Sequence, residues 1–334
     1  MSVREDGGAT PQAIMEMARG FQESRMLLSA AELDVFTHLA GGRHGAAELA
    51  QAIGADARAL AALLDALVAL GVLEKDRDGT YGNTPTTAQL LVRDAPGSML
   101  AALAHSAHMW ERWSALTDVV RSGRPAALPE VNQRGSEWLE SFLGAMDVFA
   151  REAAPQVAAA VGLSGVRRML DVGGGAASYA IAFAQAEPEL TAVVFDLPNV
   201  VPIAQRHIRR AGLEARLTTQ AGDYRTDTFG SGFDLALLSA IVHSNSFEEN
   251  ADLVRRCYDA LVPGGRLVIR DFIMSPDRTQ PAPGALFAIN MLVSTEGGGT
   301  YTEAEMRAWL ETAGFREIQR IDLPGMNALM IGRR

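Results

Sequence analysis

Two aspartates flank a run of three glycines. Asp171 stands just before Gly173-Gly174-Gly175, and Asp196 follows about 20 residues later. Glycines let a chain reverse sharply out of a strand and let its backbone approach a ligand, as Gly173 and Gly175 would do here. A carboxylate at the end of the next strand can take both hydroxyls of a ribose, which is the role expected of Asp196. Its plainer reading is a helix N-cap, because Leu197-Pro198 follows it and proline suits a first helical turn. An adenosine-containing ligand fits the pattern, and two cofactors compete for it. A dinucleotide site favours a third glycine where Ser178 stands, and an acid such as Asp171 is unhelpful beside a pyrophosphate. The same acid is compatible with the cation of S-adenosylmethionine (SAM). The residues therefore favour SAM over NAD.

His243 is the candidate base. It stands four residues beyond Ser239, where a strand gives way to loop at the carboxyl edge of a sheet. A lone histidine is often structural, but this position flanks the expected cofactor crevice. Methyl transfer from a sulfonium needs mainly alignment, which supplies on the order of 7 to 11 kcal/mol in favourable cases. A phenol, with a pKa of about 10, is a poor nucleophile at neutral pH, and imidazole chemistry is suited to taking its proton. Asp271 stands near the end of a later strand. Gly222-Asp223 ends a third strand where the crevice opens, or else forms a plain surface turn.

These residues require a sheet to hold them. From residue 165 onward, apolar runs and helical spacing alternate. Strands are expected at Arg168–Val172, Thr191–Phe195, Arg216–Gln220, Leu235–Ser239, Arg266–Arg270, Glu317–Asp322 and Ala328–Ile331, with helices at Ala176–Ala186, Val200–Ala211, Glu248–Leu261, Ala285–Val293 and Glu303–Ala313. The last of these helices carries a capping-box signature, Thr302 with Glu305. The alternation predicts an α/β fold, a Rossmann-like doubly wound sheet of seven strands. Leu323–Gly325 is too short for a crossover helix, so the final strand should run antiparallel.

Upstream, residues 1–11 read as a disordered tail, and residues 12–100 as an all-helical, winged-helix domain. Leu60, Leu63, Leu64, Leu67 and Val68 form one stripe of a helix capped by Asp56, and Val72–Lys75 with Thr80–Thr84 form the wing. Helix, turn, helix and wing is also a DNA-binding plan, but the second helix offers one arginine, Arg58, among alanines and leucines. Residues 101–164 read as bridging helices carrying Trp110, Trp113, Trp138, Phe142, Met146 and Phe149, a stripe that suits either core or pocket. The loop Ser122–Gly135 lies between them.

The net charge of −10 disfavours nucleic acid, whose binding draws on clustered Lys and Arg. One cysteine excludes internal disulfides, and six dispersed histidines suggest no metal site. The start lacks an apolar signal segment, and Ala59–Leu73 is too short to span a bilayer, so a soluble cytoplasmic protein without membrane partners is expected.

From roughly residue 12 onward the chain resembles the SAM-dependent O-methyltransferases of the hydroxyindole and caffeic-acid type, with their bacterial natural-product relatives. The residues that carry the resemblance are LDVGGG from Leu170, FDLP from Phe195, Gly222-Asp223-Tyr224, His243 in LLSAIVH, and PGGRLVIRD from Pro263. The resemblance implies a homodimer through the winged-helix domain, S-adenosylhomocysteine as product, and a small aromatic acceptor. It places Asp223 on the adenine amino group and Tyr224 on the ring face, with Leu197 and Ser239 completing the cofactor set. It makes His243 the base and puts Asp271 in the place of the first of two glutamates that flank the base in plant members, where it can orient the ring as carboxylates do in other histidine-based sites; it assigns Trp110, Trp113, Met146, Phe149, Phe287, Asn290 and Met291 to the acceptor pocket. Asn290 suits equally a satisfied buried amide. Two positions depart from the family: Ser244 stands where an aspartate commonly follows the base, and Thr300 where plant members carry a second glutamate. These departures keep methylation of nitrogen or carbon, or a reaction without methyl transfer, as alternatives.

Overall fold

Residues 10–126, 135–325 and 327–334 are described by the computed structural model of the chain. Residues 1–9 of the expected tail, and 127–134 of the loop at 122–135, lie outside the described residues. The chain divides into two compact units, the first up to His108 and the second from Met109.

In the first unit, apolar spacing sets a small helical core. Helix α1 (Pro11–Glu32) starts where the tail was expected to end: Thr10 Oγ1 accepts from the Ala13 N–H, and Pro11 has no N–H to leave unpaired. Short helices α2 (Val35–His38) and α3 (Ala46–Ile53) follow, then α4 (Ala57–Ala69), capped by Asp56. Leu60, Leu64 and Leu67 of α4 are buried against Phe36, Leu49 and Leu73. Strands β1 (Leu73–Lys75) and β2 (Tyr81–Asn83) pair antiparallel as the wing, and α5 (Pro85–Leu90) follows. The boundary between the units falls within α6 (Leu100–Ser114).

The second unit continues with α7 (Leu116–Ser122) and the long α8 (Ser136–Val161). Strand and helix then alternate through β3 (Arg168–Val172), α9 (Ser178–Ala186), β4 (Thr191–Asp196), α10 (Val201–Arg210), β5 (Leu217–Ala221), β6 (Phe233–Ser239), α11 (Phe247–Ala260) and β7 (Leu261–Asp271). The chain ends with β8 (Ile273–Met274), α12 (Ala282–Ser294), β9 (Tyr301–Thr302), α13 (Glu303–Ala313), β10 (Arg316–Asp322) and β11 (Ala328–Arg333).

Seven strands form one sheet in the order β10-β11-β7-β6-β3-β4-β5. Strand β11 runs antiparallel to both neighbours, as the short turn before it demands. Side chains alternate across β3: Leu170 and Val172 pack on the side of α11 and α13, while Met169 packs on the side of α8, α9 and α10. The central strands are buried on both faces and therefore read as continuous apolar runs. From β3 the chain winds outward through β4 and β5, then returns to lay β6 on the other side of β3. Crevices open at such a switch point, beyond the carboxyl ends of the two strands.

Three local features differ from expectation. Helix α9 starts at Ser178, two residues later than expected, because Gly173, Gly175 and Ala177 hold left-handed φ of 65°, 56° and 64°. Strand β7 begins at Leu261 and takes in Pro263-Gly264-Gly265. Strands β8 and β9 form a separate parallel pair, Ile273 opposite Tyr301, with two residues each and thus no readable alternation.

Candidate active site

The carboxyl ends of β3, β4, β6 and β7 bring the chemistry together. Gly173 leaves β3 with a φ of 65°, in the left-handed region that favours glycine, and a Cβ there would lie 2.3 Å from Ile241 Cδ1, so any larger residue would have to displace the Ile241 side chain from the loop after β6. Asp196, at the end of β4, braces that turn: its Oδ2 accepts from the Gly175 N–H at 2.8 Å and its Oδ1 from the Leu197 N–H at 2.7 Å. It caps no helix, since α10 begins only at Val201. Each of its carboxylate oxygens keeps acceptor capacity for a ribose hydroxyl.

Asp171 is 1 % exposed. Burial, and then the neighbouring Asp196 carboxylate, push it up to about 7. Burial likewise raises Asp196 to about 6, against the pull of the Gly175 and Leu197 N–H groups. Asp171 Oδ2 and Ser239 Oγ are buried without a hydrogen-bond partner among the described residues. Two acids held partly protonated beside a glycine turn, with orphaned oxygens, are what a cationic, hydroxyl-bearing ligand would satisfy. The residues thus fit SAM.

Helix α8 also reaches this turn, by contacts that span more than thirty positions of sequence. Leu143 Cδ2 would lie 3.3 Å from a Cβ on Gly175, and Asp147 Oδ1 accepts from Ser178 Oγ at 2.7 Å. Neither Leu143 nor Asp147 was legible as a site residue. Asp147 lies one residue from Met146, which was.

Strand β6 ends at Ser239, and Ala240 turns the chain with a φ of 57°. A single 3₁₀ turn, Val242–Ser244, then presents His243. Asp271 closes the adjacent strand β7, and His243 Nδ1 lies 2.9 Å from its Oδ2 and 3.0 Å from its Oδ1. An ionised carboxylate only accepts, so Nδ1 carries the proton and Nε2 the free lone pair. Asp271 is 3 % exposed, and its Oδ1 is further fixed by the Phe272 N–H at 2.8 Å. The pair sets an imidazole against a fixed carboxylate at the sheet edge.

An aromatic wall faces the base. The His243 and Phe287 rings meet edge to face at 4.8 Å, and Phe272 packs on Phe287 at 5.0 Å. Three residues further along α12, Asn290 Oδ1 accepts from Trp113 Nε1 at 3.2 Å, which ties α12 to the end of α6. Met291 is buried, Trp110 and Met146 are half-buried, and Phe149 is 58 % exposed on α8. Arg112, beside Trp113, escaped the sequence reading: it is 6 % exposed, and burial lowers its pKa against the pull of the Glu111 carboxylate.

Beyond β5, Asp223 turns back on its own loop. Arg225 donates to it from the backbone at 2.9 Å and from the guanidinium at 2.9 Å, and these contacts outweigh burial to lower its pKa. These bonds leave acceptor capacity on both carboxylate oxygens. Tyr224 is largely buried, and its hydroxyl donates to Asn245 Oδ1 at 3.0 Å.

Residues 113–316 match the O-methyltransferase domain family, and residues 15–93 match the O-methyltransferase dimerisation domain. The chain is 37 % identical, over 96 % of its length and 95 % of the relative's, to 3-hydroxy-5-methyl-1-naphthoate 3-O-methyltransferase of Streptomyces sahachiroi. It is 30 % identical, over 94 % of both chains, to the N,N-dimethyltransferase OxyT of Streptomyces rimosus. It superposes on human N-acetylserotonin methyltransferase in complex with SAM with a TM-score of 0.88 and 28 % identity, covering 100 % of this chain and 99 % of that one. Among the described residues, no helix is long and apolar enough to cross a membrane. The chain belongs to the SAM-dependent O-methyltransferase family and carries that family's dimerisation domain.

Proposed function

We propose that this protein methylates a phenolic or enolic hydroxyl of a medium-sized aromatic natural product, with His243 as general base and Asp271 as its orienting partner. The observation that carries the reading is the His243–Asp271 pair at 2.9 Å, set beside the Phe287 ring at the carboxyl edge of the sheet. SAM supplies an activated methyl group, which moves to the acceptor oxygen and leaves S-adenosylhomocysteine. The chain's own work is alignment and proton removal. Gly173, Gly175, Asp171 and Asp196 hold the donor, Phe287 and Phe272 flank a flat acceptor, and Nε2 of His243 takes the hydroxyl proton as the new bond forms. The naphthoate acceptor of the Streptomyces sahachiroi relative supports a fused aromatic ring as substrate.

The test is turnover of SAM with a panel of hydroxynaphthoates and related phenols, following S-adenosylhomocysteine and locating the added methyl by mass spectrometry and NMR. An O-methyl product is expected. A methylamine product from amino-substituted acceptors would instead support the second reading, nitrogen methylation, which the OxyT relative motivates. Binding of SAM without release of S-adenosylhomocysteine from any acceptor would sink both.

The protein acts as a homodimer in this proposal. Ile14, Met17 and Phe21 fall at i, i+3 and i+7 on α1 and are 53 %, 68 % and 57 % exposed, an apolar stripe within or next to the matched dimerisation domain.

A further inference from the structure

Behind the His243 turn lies a buried chain of neutral polar groups that the proposed reaction does not use. Tyr224 Oη donates to Asn245 Oδ1 at 3.0 Å, Asn245 Nδ2 donates to Asn250 Oδ1 at 3.1 Å, and Asn250 Nδ2 donates to the Val242 carbonyl at 2.8 Å. The relay thus starts at Tyr224, beyond β5, and ends on the peptide that leads into His243. Tyr301 Oη fixes the same segment by donating to the Asn245 carbonyl at 2.5 Å, and the Gly299 N–H donates to the His243 carbonyl at 2.9 Å. Asn245 is 4 % and Asn250 0 % exposed.

Plain packing does not require this arrangement. An apolar core at the same place would carry no desolvation cost, whereas a buried amide network is stable only when each member is satisfied, and it then fixes one geometry. Both side-chain amides spend donor and acceptor on the line from Tyr224 to Val242. A shift of the Tyr224 hydroxyl therefore changes the partner of Asn245, then of Asn250, then the tether of the Val242–His243 peptide.

We propose that Asn245 and Asn250 are positioning residues that couple the nucleoside end of the cofactor site, through Tyr224, to the placement of His243. The proposal rests on the reading of Tyr224 as a cofactor contact and of His243 as the base. Cofactor binding orders the Tyr224 hydroxyl, and the relay transmits that order to the turn that carries the base.

The test compares Tyr224→Phe, Asn250→Asp and the double variant in the full-length enzyme, with kcat measured at saturating SAM and acceptor, KM for SAM, and melting temperature. Tyr224→Phe keeps the ring and removes only the hydroxyl, so it remains readable whatever the second substitution does to folding. Each single variant is expected to lower kcat about tenfold, and the double variant to be no worse than either, because contacts in one network do not add. Asn250→Asp should recover toward the wild type as pH falls, since only the protonated acid can donate to the Val242 carbonyl. Unchanged kcat with a lower melting temperature, or losses that multiply in the double variant, would overturn the coupling. A silent His243→Ala would fail the base reading alone, and non-additivity between Tyr224 and Asn250 would still decide the relay.

Discussion

His243 Nδ1 and Asp271 Oδ2 lie 2.9 Å apart although 28 positions separate them in the chain. They meet because β6 and β7 are parallel neighbours with Ser239 opposite Arg270, so residues just beyond each strand emerge at the same edge. His243→Ala should lower kcat by about 10² to 10⁴ on a hydroxyl acceptor while leaving the affinity for SAM nearly unchanged. Asp271→Asn should also lower kcat, because an amide can donate to Nδ1 and favour the wrong tautomer. Steady-state kinetics beside calorimetric SAM binding checks both, and an unchanged kcat in His243→Ala would leave alignment as the sole catalytic device.

Asp171 and Asp196, raised to about 7 and about 6 from an ordinary 3.8, hold protons in the folded chain at pH values where the unfolded chain has released them. Between about pH 4 and 7 the folded state thus binds more protons, and stability without ligand falls as pH rises through that window. A bound cation favours the ionised pair, so the thermal shift given by SAM should grow over the same range. Differential scanning fluorimetry from pH 5 to 8 checks both trends, and Asp171→Asn should flatten them. A SAM shift independent of pH in the parent protein would remove Asp171 from the cofactor site.

Gly298 packs against the base turn. A Cβ there would lie 2.4 Å from the His243 carbonyl oxygen and 2.4 Å from Thr295 Oγ1, whereas one at Gly299 would meet nothing within 4 Å. Gly298→Ala should therefore cost roughly 1 to 3 kcal/mol of stability and reduce turnover, because backbone cannot swing aside as a flexible side chain does. Gly299→Ala is the control and should be close to the parent in melting temperature. Equal melting temperatures for the two variants would contradict the close approach.

Arg112 is 6 % exposed, and burial lowers its pKa against the pull of the neighbouring Glu111 carboxylate. Arg112→Met keeps much of the volume without the charge and should leave the melting temperature unchanged or raise it by a few degrees. A fall of several degrees would show that the guanidinium stabilises the folded enzyme instead.

Phe21→Glu places a charge in the exposed apolar stripe of α1 and should shift the protein from dimer toward monomer in light scattering coupled to size exclusion. A dimer of unchanged stability would move the interface off this face of the helix.

Much of this protein is legible in the chain itself. All seven strands form where expected to within a few residues at their ends, the central ones because each is a short apolar run, and the antiparallel last strand follows from a connection too short for a helix. The Thr302–Glu305 capping box forms as its spacing implies. The glycine turn and the spacing from Asp171 to Asp196 are equally local, since one strand, turn, helix and strand bring their own ends together. What depended on the folded chain is every relationship between residues on different elements. The clasp of Leu143 and Asp147 over the turn, the tether of Trp113 to Asn290 and the Tyr224–Asn245–Asn250 relay have no period and no motif, and the pairing of His243 with Asp271 was an expectation that owed nothing to their spacing. The grip of Arg225 on Asp223 is a local contact over two positions, yet it too carries no motif. Backbone periodicity and turn chemistry act over a few residues and leave a trace in the sequence. Contacts between side chains distant in the chain are set by strand order and packing, which exist only once the whole sheet has formed.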